Sequence, residues 1–131
     1  MSYGLGTRVQ APFADVLAQV RLALADNGFG VITEIDLAKT LHEKIGAEVP
    51  DQVILGACSP AHAYRAIQAE PTIGLLLPCN VVVRSDGSET IVDVIDPQMM
   101  VKLSDSSSMC AVADEIEEKL RATVSAVNAA F

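Results

Sequence analysis

Cys58, His62 and Cys79 are the residues of this chain whose types and spacing lend themselves to chemistry. Cys58 closes a segment rich in β-branched residues and stands just before Ser59-Pro60, which reads as an N-cap and first-turn proline. The positive end of a helix dipole stabilises a thiolate, so Cys58 is the first candidate for a nucleophile or soft ligand. Cys79 follows Pro78 in a later extended segment, and a sheet can bring two such sulfurs together. A pair of thiolates suits Cu(I), Zn or a reversible redox couple. His62 falls in the first turn after Cys58, where a Cys–His pair gives an activated nucleophile or two metal ligands. Asn80, next to Cys79, completes the ligand-binding candidates. A packing role competes with each of these. Small sulfur side chains beside Gly56 and Pro78 also simply fill tight space.

The remaining constellations carry less. No Cys-x-x-Cys or His-x-x-x-His spacing occurs, which argues against a closed zinc site within one chain, although two chains of a dimer can pool ligands. Glu34 and Asp36 are two apart on one strand face, an acid–base or hard-metal geometry, but Asp36 fits a helix N-cap and Glu34 a solvated edge position. His42 belongs to a polar helix face. Met99-Met100 reads as core filler, and Cys110 is expected to pack near the start of the last helix. Gly4-Leu5-Gly6 lacks a third glycine, and no Gly-Lys-Ser/Thr occurs, so no phosphate-binding loop is recognised. A Ser–His–Asp triad has no nucleophile elbow to support it, so no hydrolase signal is present.

These residues sit in a chain of 131 residues, half of them apolar, enough for one domain with one core. Seventeen acidic against nine basic side chains leave a formal charge of -8, which disfavours general nucleic-acid binding. Aromatics at 4% with no Trp leave few platforms for stacking bases. Three cysteines, an odd number, do not suggest a disulfide framework. No basic region followed by a long apolar stretch opens the sequence. Apolar runs such as Ile73 to Leu77 fall far short of the ~20 residues of a membrane helix. The expectation is a soluble, cytoplasmic protein without a membrane or nucleic-acid partner.

The positioning elements follow from periodicity. A short strand is expected around Tyr3 to Gln10, then a helix after Pro12 with Phe13, Val16, Leu17, Val20 and Leu24 on one face, ended by Asn27-Gly28. Phe29 to Ile35 reads as a strand. Asp36 then caps a helix whose buried face is Leu37, Leu41 and Ile45, closed by Gly46. Gln52 to Ala57 is the next strand, and the helix after Ser59 turns Ala63, Ala66 and Ile67 inward until Pro71. Leu75 to Arg84 reads as a long strand interrupted by Pro78, joined through Asp86-Gly87 to Thr90 to Ile95. Asp105 and Ser106 to Ser108 are candidate caps for a last helix with the stripe Val112, Ile116, Leu120, Val124, Val127 and Phe131. The pattern is one α+β domain over residues 1–131 with about five strands and about four helices.

Three segments carry a resemblance. They are Gly28-Phe29-Gly30-Val31-Ile32-Thr33-Glu34-Ile35-Asp36, Ile54-Leu55-Gly56-Ala57-Cys58-Ser59-Pro60, and the run from Glu70-Pro71 through Leu77-Pro78-Cys79-Asn80 to Val83. In this order they resemble the family called domain of unknown function 302, over about Phe13 to Leu103. Ser59 stands where that family often has Asn, and both residues cap helices. The resemblance implies a compact two-layer α+β fold, a curved and largely antiparallel sheet with helices on one side, and a homodimer. It implies no particular activity.

Three functional readings result. The first is a non-enzymatic, cytoplasmic, homodimeric binding module holding a small molecule, a soft metal or haem near Cys58, Cys79 and His62. The second is a thiol-dependent redox or sulfur-handling enzyme with Cys58 attacking and Cys79 resolving. The third is an interaction scaffold whose cysteines are structural.

Overall fold

The computed structural model describes residues 3–131; Met1 and Ser2, part of the stretch read for a leader, lie outside them. Five strands form one open antiparallel sheet: β1 (Gly4–Val9), β2 (Gly30–Asp36), β3 (Gln52–Cys58), β4 (Cys79–Asp86) and β5 (Glu89–Ile95), in the spatial order β1-β5-β4-β3-β2. Alternation puts Val53 and Leu55 of β3, Val81 and Val83 of β4, and Val92 and Val94 of β5 on one face. Register then aligns them into cross-strand rows, Leu55–Val81–Val94 and Val53–Val83–Val92.

Helices α1 (Phe13–Asp26) and α5 (Cys110–Ala129) cover this face. Val16, Val20 and Leu24 of α1 meet Ile116, Leu120 and Val127 of α5 over the valine rows, all in one hydrophobic cluster. The α1 stop is a Schellman motif: Phe29 N–H donates to the Leu24 carbonyl at 2.9 Å and Gly28 N–H to Ala25 at 3.1 Å. Gly28 takes φ +83°, a backbone geometry open to glycine at little cost. The buried Phe29 side chain thereby enters the core next to β2.

The β2 end of the sheet is built differently. Helix α2 (Leu37–Ile45) is capped as expected, with Lys39 N–H donating to the Asp36 carboxylate at 3.0 Å. Its expected buried face is not buried: Leu37 and Leu41 are half-covered and Ile45 is 75% exposed. The reason is position, since α2 packs on the edge strand β2 and its neighbour β3, away from the α1–α5 layer.

Four other expectations are corrected. The strand expected from Leu75 begins at Cys79; Ile73–Leu76 forms a 3-10 turn, Ile73 anchoring it in the core. A fifth helix, α4 (Gln98–Ser104), occupies the segment after Asp96-Pro97. It ends at Asp105 in the left-handed region (φ 52°), so Asp105 closes α4 rather than capping α5, and a 3-10 turn at Ser107–Met109 leads into α5 without a side-chain cap. Phe131, past the end of α5, and Ile67, on the outer side of α3 (Pro60–Ala69), are both about half exposed. No helix among the described residues is long and apolar enough to cross a membrane.

Candidate functional site

The β3–α3 junction holds both of the cysteines singled out in the sequence. Ala57 of β3 pairs with Cys79 of β4, so Cys58 and Cys79 lie at neighbouring positions where the two strands meet the start of α3. Both line one cavity of about 280 Å³, together with Phe29, Ile32, Ala57, Ser59, Ala63, Ala66, Leu77, Pro78 and Ile116. None of these side chains is charged, and the thiols and the Ser59 hydroxyl are their only side-chain polar groups. The volume lies just under the ~300–1,000 Å³ common for drug-sized ligands, so a matching occupant is small and mostly apolar.

Gly56 stands just outside the lining, next to Ala57 and against Pro78. A Cβ there would meet Pro78 Cγ at 2.8 Å and would overlap the Thr33 hydroxyl, so only glycine permits this approach of β2, β3 and Pro78. The pairing of β2 with β3 shifts register between Val31 and Thr33 opposite this point.

Burial pushes the Cys79 thiol up to about 11, with the neighbouring Cys58 adding to the effect. At neutral pH Cys79 is therefore a protonated, apolar-facing thiol. Cys110, expected to pack, is exposed at the first residue of α5 and lies outside the cavity lining.

His62 and Asn80 do not join the two cysteines in the cavity lining. Asn80 is exposed on the face of β4 opposite Cys79, as strand alternation requires. His62 has both ring nitrogens engaged. Its Nδ1 lies 2.7 Å from Ser59 Oγ, and its Nε2 lies 3.3 Å from Glu115 Oε1 on α5. Contrary to the expected N-cap role, the Ser59 side chain makes no cap hydrogen bond to α3 and turns to His62 instead. Arg65 grips the same carboxylate with two bonds, 2.9 and 2.8 Å. The Arg65 hydrogen bond chiefly, helped by His62, holds the Glu115 carboxyl down at about 2.

Among the described residues, no group of three or more His, Cys, Asp or Glu is placed to hold a metal ion. The expected ligand set of Cys58, Cys79 and His62 is therefore not gathered. Glu34 pairs with Arg21, Asp36 caps α2, and His42 faces Glu48 at 2.9 Å on the surface. Met100 is core and Met99 half-buried.

Sequence reading missed Glu115 and Arg65. Arg65 lies three residues after His62, on the same side of α3, a spacing visible in the sequence. Glu115 comes from 53 residues beyond His62 and is brought in only by the packing of α3 on α5.

A larger depression of about 430 Å³ lies on the uncovered sheet face near Gly4, Arg8 and Arg84. Its charged groups are already paired, Arg8 with Asp86 and Glu89 and Arg84 with Asp93, so it presents no convergent unpaired donor set.

Comparison with known proteins agrees with this architecture. The crystal structure of an uncharacterised conserved DUF302 protein from Bacillus stearothermophilus is similar at 25% identity, with a TM-score of 0.89 over 97% of this chain and 99% of that one. No curated protein is significantly similar to the chain. The family model for the domain of unknown function DUF302 matches residues 5–127, nearly the whole fold including the cavity, and the chain belongs to that family.

Proposed function

We propose that the chain is a binding module whose cavity between β3, β4 and α3 takes a small, predominantly apolar molecule. The observation that carries this reading is the uncharged cavity of about 280 Å³ lined by Cys58 and Cys79. Burial of apolar ligand surface supplies the affinity, at about 25 cal/mol per Å² removed from water. Thiols and a single hydroxyl supply the little polarity needed for orientation. Among the three ligand classes expected from sequence, a soft metal and haem draw less support, because His62 is held by Ser59 and Glu115 and Cys79 is a high-pKa thiol.

Indole, a small apolar probe, tests the reading by calorimetric titration of the whole chain. Saturable binding that is lost in Ala63→Leu, a substitution that projects into the cavity, supports it. No heat of binding, or an Ala63→Leu variant that binds equally well, contradicts it.

The shared cavity of Cys58 and Cys79 also favours the redox reading, in which the two thiols close to a disulfide. Two thiol hydrogens and two electrons would then pass to an oxidant such as diamide, which is reduced to its hydrazine. A crosslinked Cys58–Cys79 peptide pair after mild diamide treatment supports this, and two free thiols after treatment oppose it.

Cytoplasmic location and self-association belong to the same reading. Three unpaired cysteines suit a reducing compartment. The outer strand β2 exposes Ile32 and Ile35 and has one unpaired backbone edge, which fits a second copy of the chain. Light scattering at micromolar concentration should report twice the monomer mass; a monomer mass would refute the dimer.

A further inference from the structure

Ser59, His62 and Glu115 form one continuous hydrogen-bonded chain that ends at the cavity wall, and its directions can be deduced. Glu115 stays ionised across the neutral range, so its oxygens accept only. The His62 Nε2 beside Glu115 Oε1 must then carry the ring hydrogen and donate it. In the neutral ring Nδ1 is left as the acceptor, and the Ser59 hydroxyl 2.7 Å away donates to it. A serine hydroxyl that donates to an imidazole, itself oriented by a carboxylate, is the arrangement of an activated nucleophile.

Three further features suit that role. Ser59 is one of the residues that line the apolar cavity, so the hydrogen-bonded chain ends beside the space a ligand would occupy. His62 is only 11% exposed, which limits competition from bulk water. The Ser59 side chain makes no cap, so the backbone N–H groups of Ala61 and His62 at the start of α3 lack an intrahelical partner. Such groups stabilise negative charge developing on an oxygen nearby.

The geometry points to an acyl-transfer activity at this site: Ser59 is the nucleophile toward small apolar esters, His62 its general base and Glu115 the positioning residue for His62. The inference rests on the cavity-binding reading, because it uses the same cavity for the acyl group. Ser59 Oγ forms a bond to the ester carbonyl carbon as its proton passes to His62 Nδ1. The carbonyl electron pair moves onto oxygen and returns as the C–O bond to the alcohol breaks. The departing alkoxide takes the proton from His62 and leaves as the alcohol. Water then adds to the acyl-Ser59 carbon by the same route, releasing the carboxylic acid and restoring the serine. No oxidant or metal is required.

Arg65 modulates the arrangement. By holding Glu115 with two bonds it fixes the carboxylate that orients His62, and it also draws off part of the negative charge available to an imidazolium. Moderate turnover is the consequence, with Ser59 labelling the more sensitive readout.

The test uses a fluorophosphonate, which reacts with activated serines, and p-nitrophenyl acetate as the ester. The expected result is a phosphonyl adduct on Ser59, located by peptide fragmentation that separates it from Cys58. Release of p-nitrophenol should fall about 100-fold or more in Ser59→Ala and in His62→Gln, the scale of general-base assistance. Glu115→Gln should slow labelling about 10-fold while indole affinity stays unchanged, which a loss of fold would not allow. Adduct or acetyl transfer on Cys58, or no adduct on Ser59, overturns the proposal. A chain that binds indole yet is not labelled overturns the relay alone. A chain labelled on Ser59 that binds no indole supports the relay and overturns the binding reading.

Discussion

The two ends of the sheet are built on different terms. At the β1–β5–β4 end, α1 and α5 lie over the valine rows, and Leu24, Leu120, Val83 and Val92 are almost wholly buried. At the β2 end, strand β2 has no residue in the core, and α2 none either. The cavity lies between them, where the cover of α5 gives way at Ile116 and α3 takes over only with Ala63 and Ala66. Small side chains on the covering helix leave space that large ones would fill. The difference teaches that the site is a consequence of where the second layer thins, with Cys58, Ser59 and Cys79 placed on the rim of that gap.

Truncating one leucine at each end should separate the two ends most. Leu120→Ala is expected to lower unfolding free energy by about 2–5 kcal/mol, because the deleted atoms sit in a close-packed layer. Leu41→Ala on α2 should cost about 1 kcal/mol or less, since that side chain is only half-covered. Urea denaturation of both variants checks the contrast, and equal losses would mean that α2 is as much part of the core as α5.

Gly56→Ala sharpens the account of the gap itself. The added methyl must displace Pro78 or Thr33, with an expected loss of about 1–3 kcal/mol and a weaker affinity for indole. Unchanged affinity together with unchanged stability would show that Pro78 and Thr33 yield without resistance.

The smallest effect concerns acid pH. Glu115 has a folded-state pKa of about 2 against an ordinary 4.5, so its link to Arg65 and His62 stabilises above pH 4.5 and is lost as the pH falls toward 2. The carboxylate is about half exposed, which keeps the contribution modest. Relative to Glu115→Gln, the wild-type advantage in urea midpoint should shrink between about pH 7 and about pH 3. An advantage that is constant across this range would detach Glu115 from acid stability.

How far the sequence carried the fold can be judged from the same contrast. The covered end was legible, because Val16, Val20 and Leu24 and then Val112, Ile116 and Leu120 repeat with helical period, and β4 and β5 carry the β-branched runs Val81 to Val83 and Ile91-Val92. The uncovered end misled. Leu37, Leu41 and Ile45 have the same period, but periodicity reports an apolar face and not whether anything packs on it. Helix α4 escaped notice because Asp96-Pro97 looks like a stop, whereas Asp96 accepts from Gln98 N–H at 2.9 Å and starts the helix.

The site was half legible. Cys58 and Cys79 were singled out by type and by their place at a strand end and after a proline, and one cavity does receive both. His62 and Asn80 were assigned to the same site by proximity in sequence alone. Helical phase sends His62 toward α5, and strand alternation sends Asn80 to the other face. Glu115 depended on the α3–α5 contact, which no local pattern encodes.

The most direct test of the central claim is thiol labelling by iodoacetamide at about pH 8, with and without saturating indole, read by mass spectrometry on each cysteine peptide. With its pKa near 11 rather than the ordinary 9.0, Cys79 should carry a thiolate fraction about 100-fold below that of an ordinary thiol and react slowly from the outset. The account predicts that indole slows labelling of Cys58 and Cys79 further and leaves exposed Cys110 untouched. Equal rates with and without indole at all three positions would contradict a ligand-binding cavity bounded by Cys58 and Cys79.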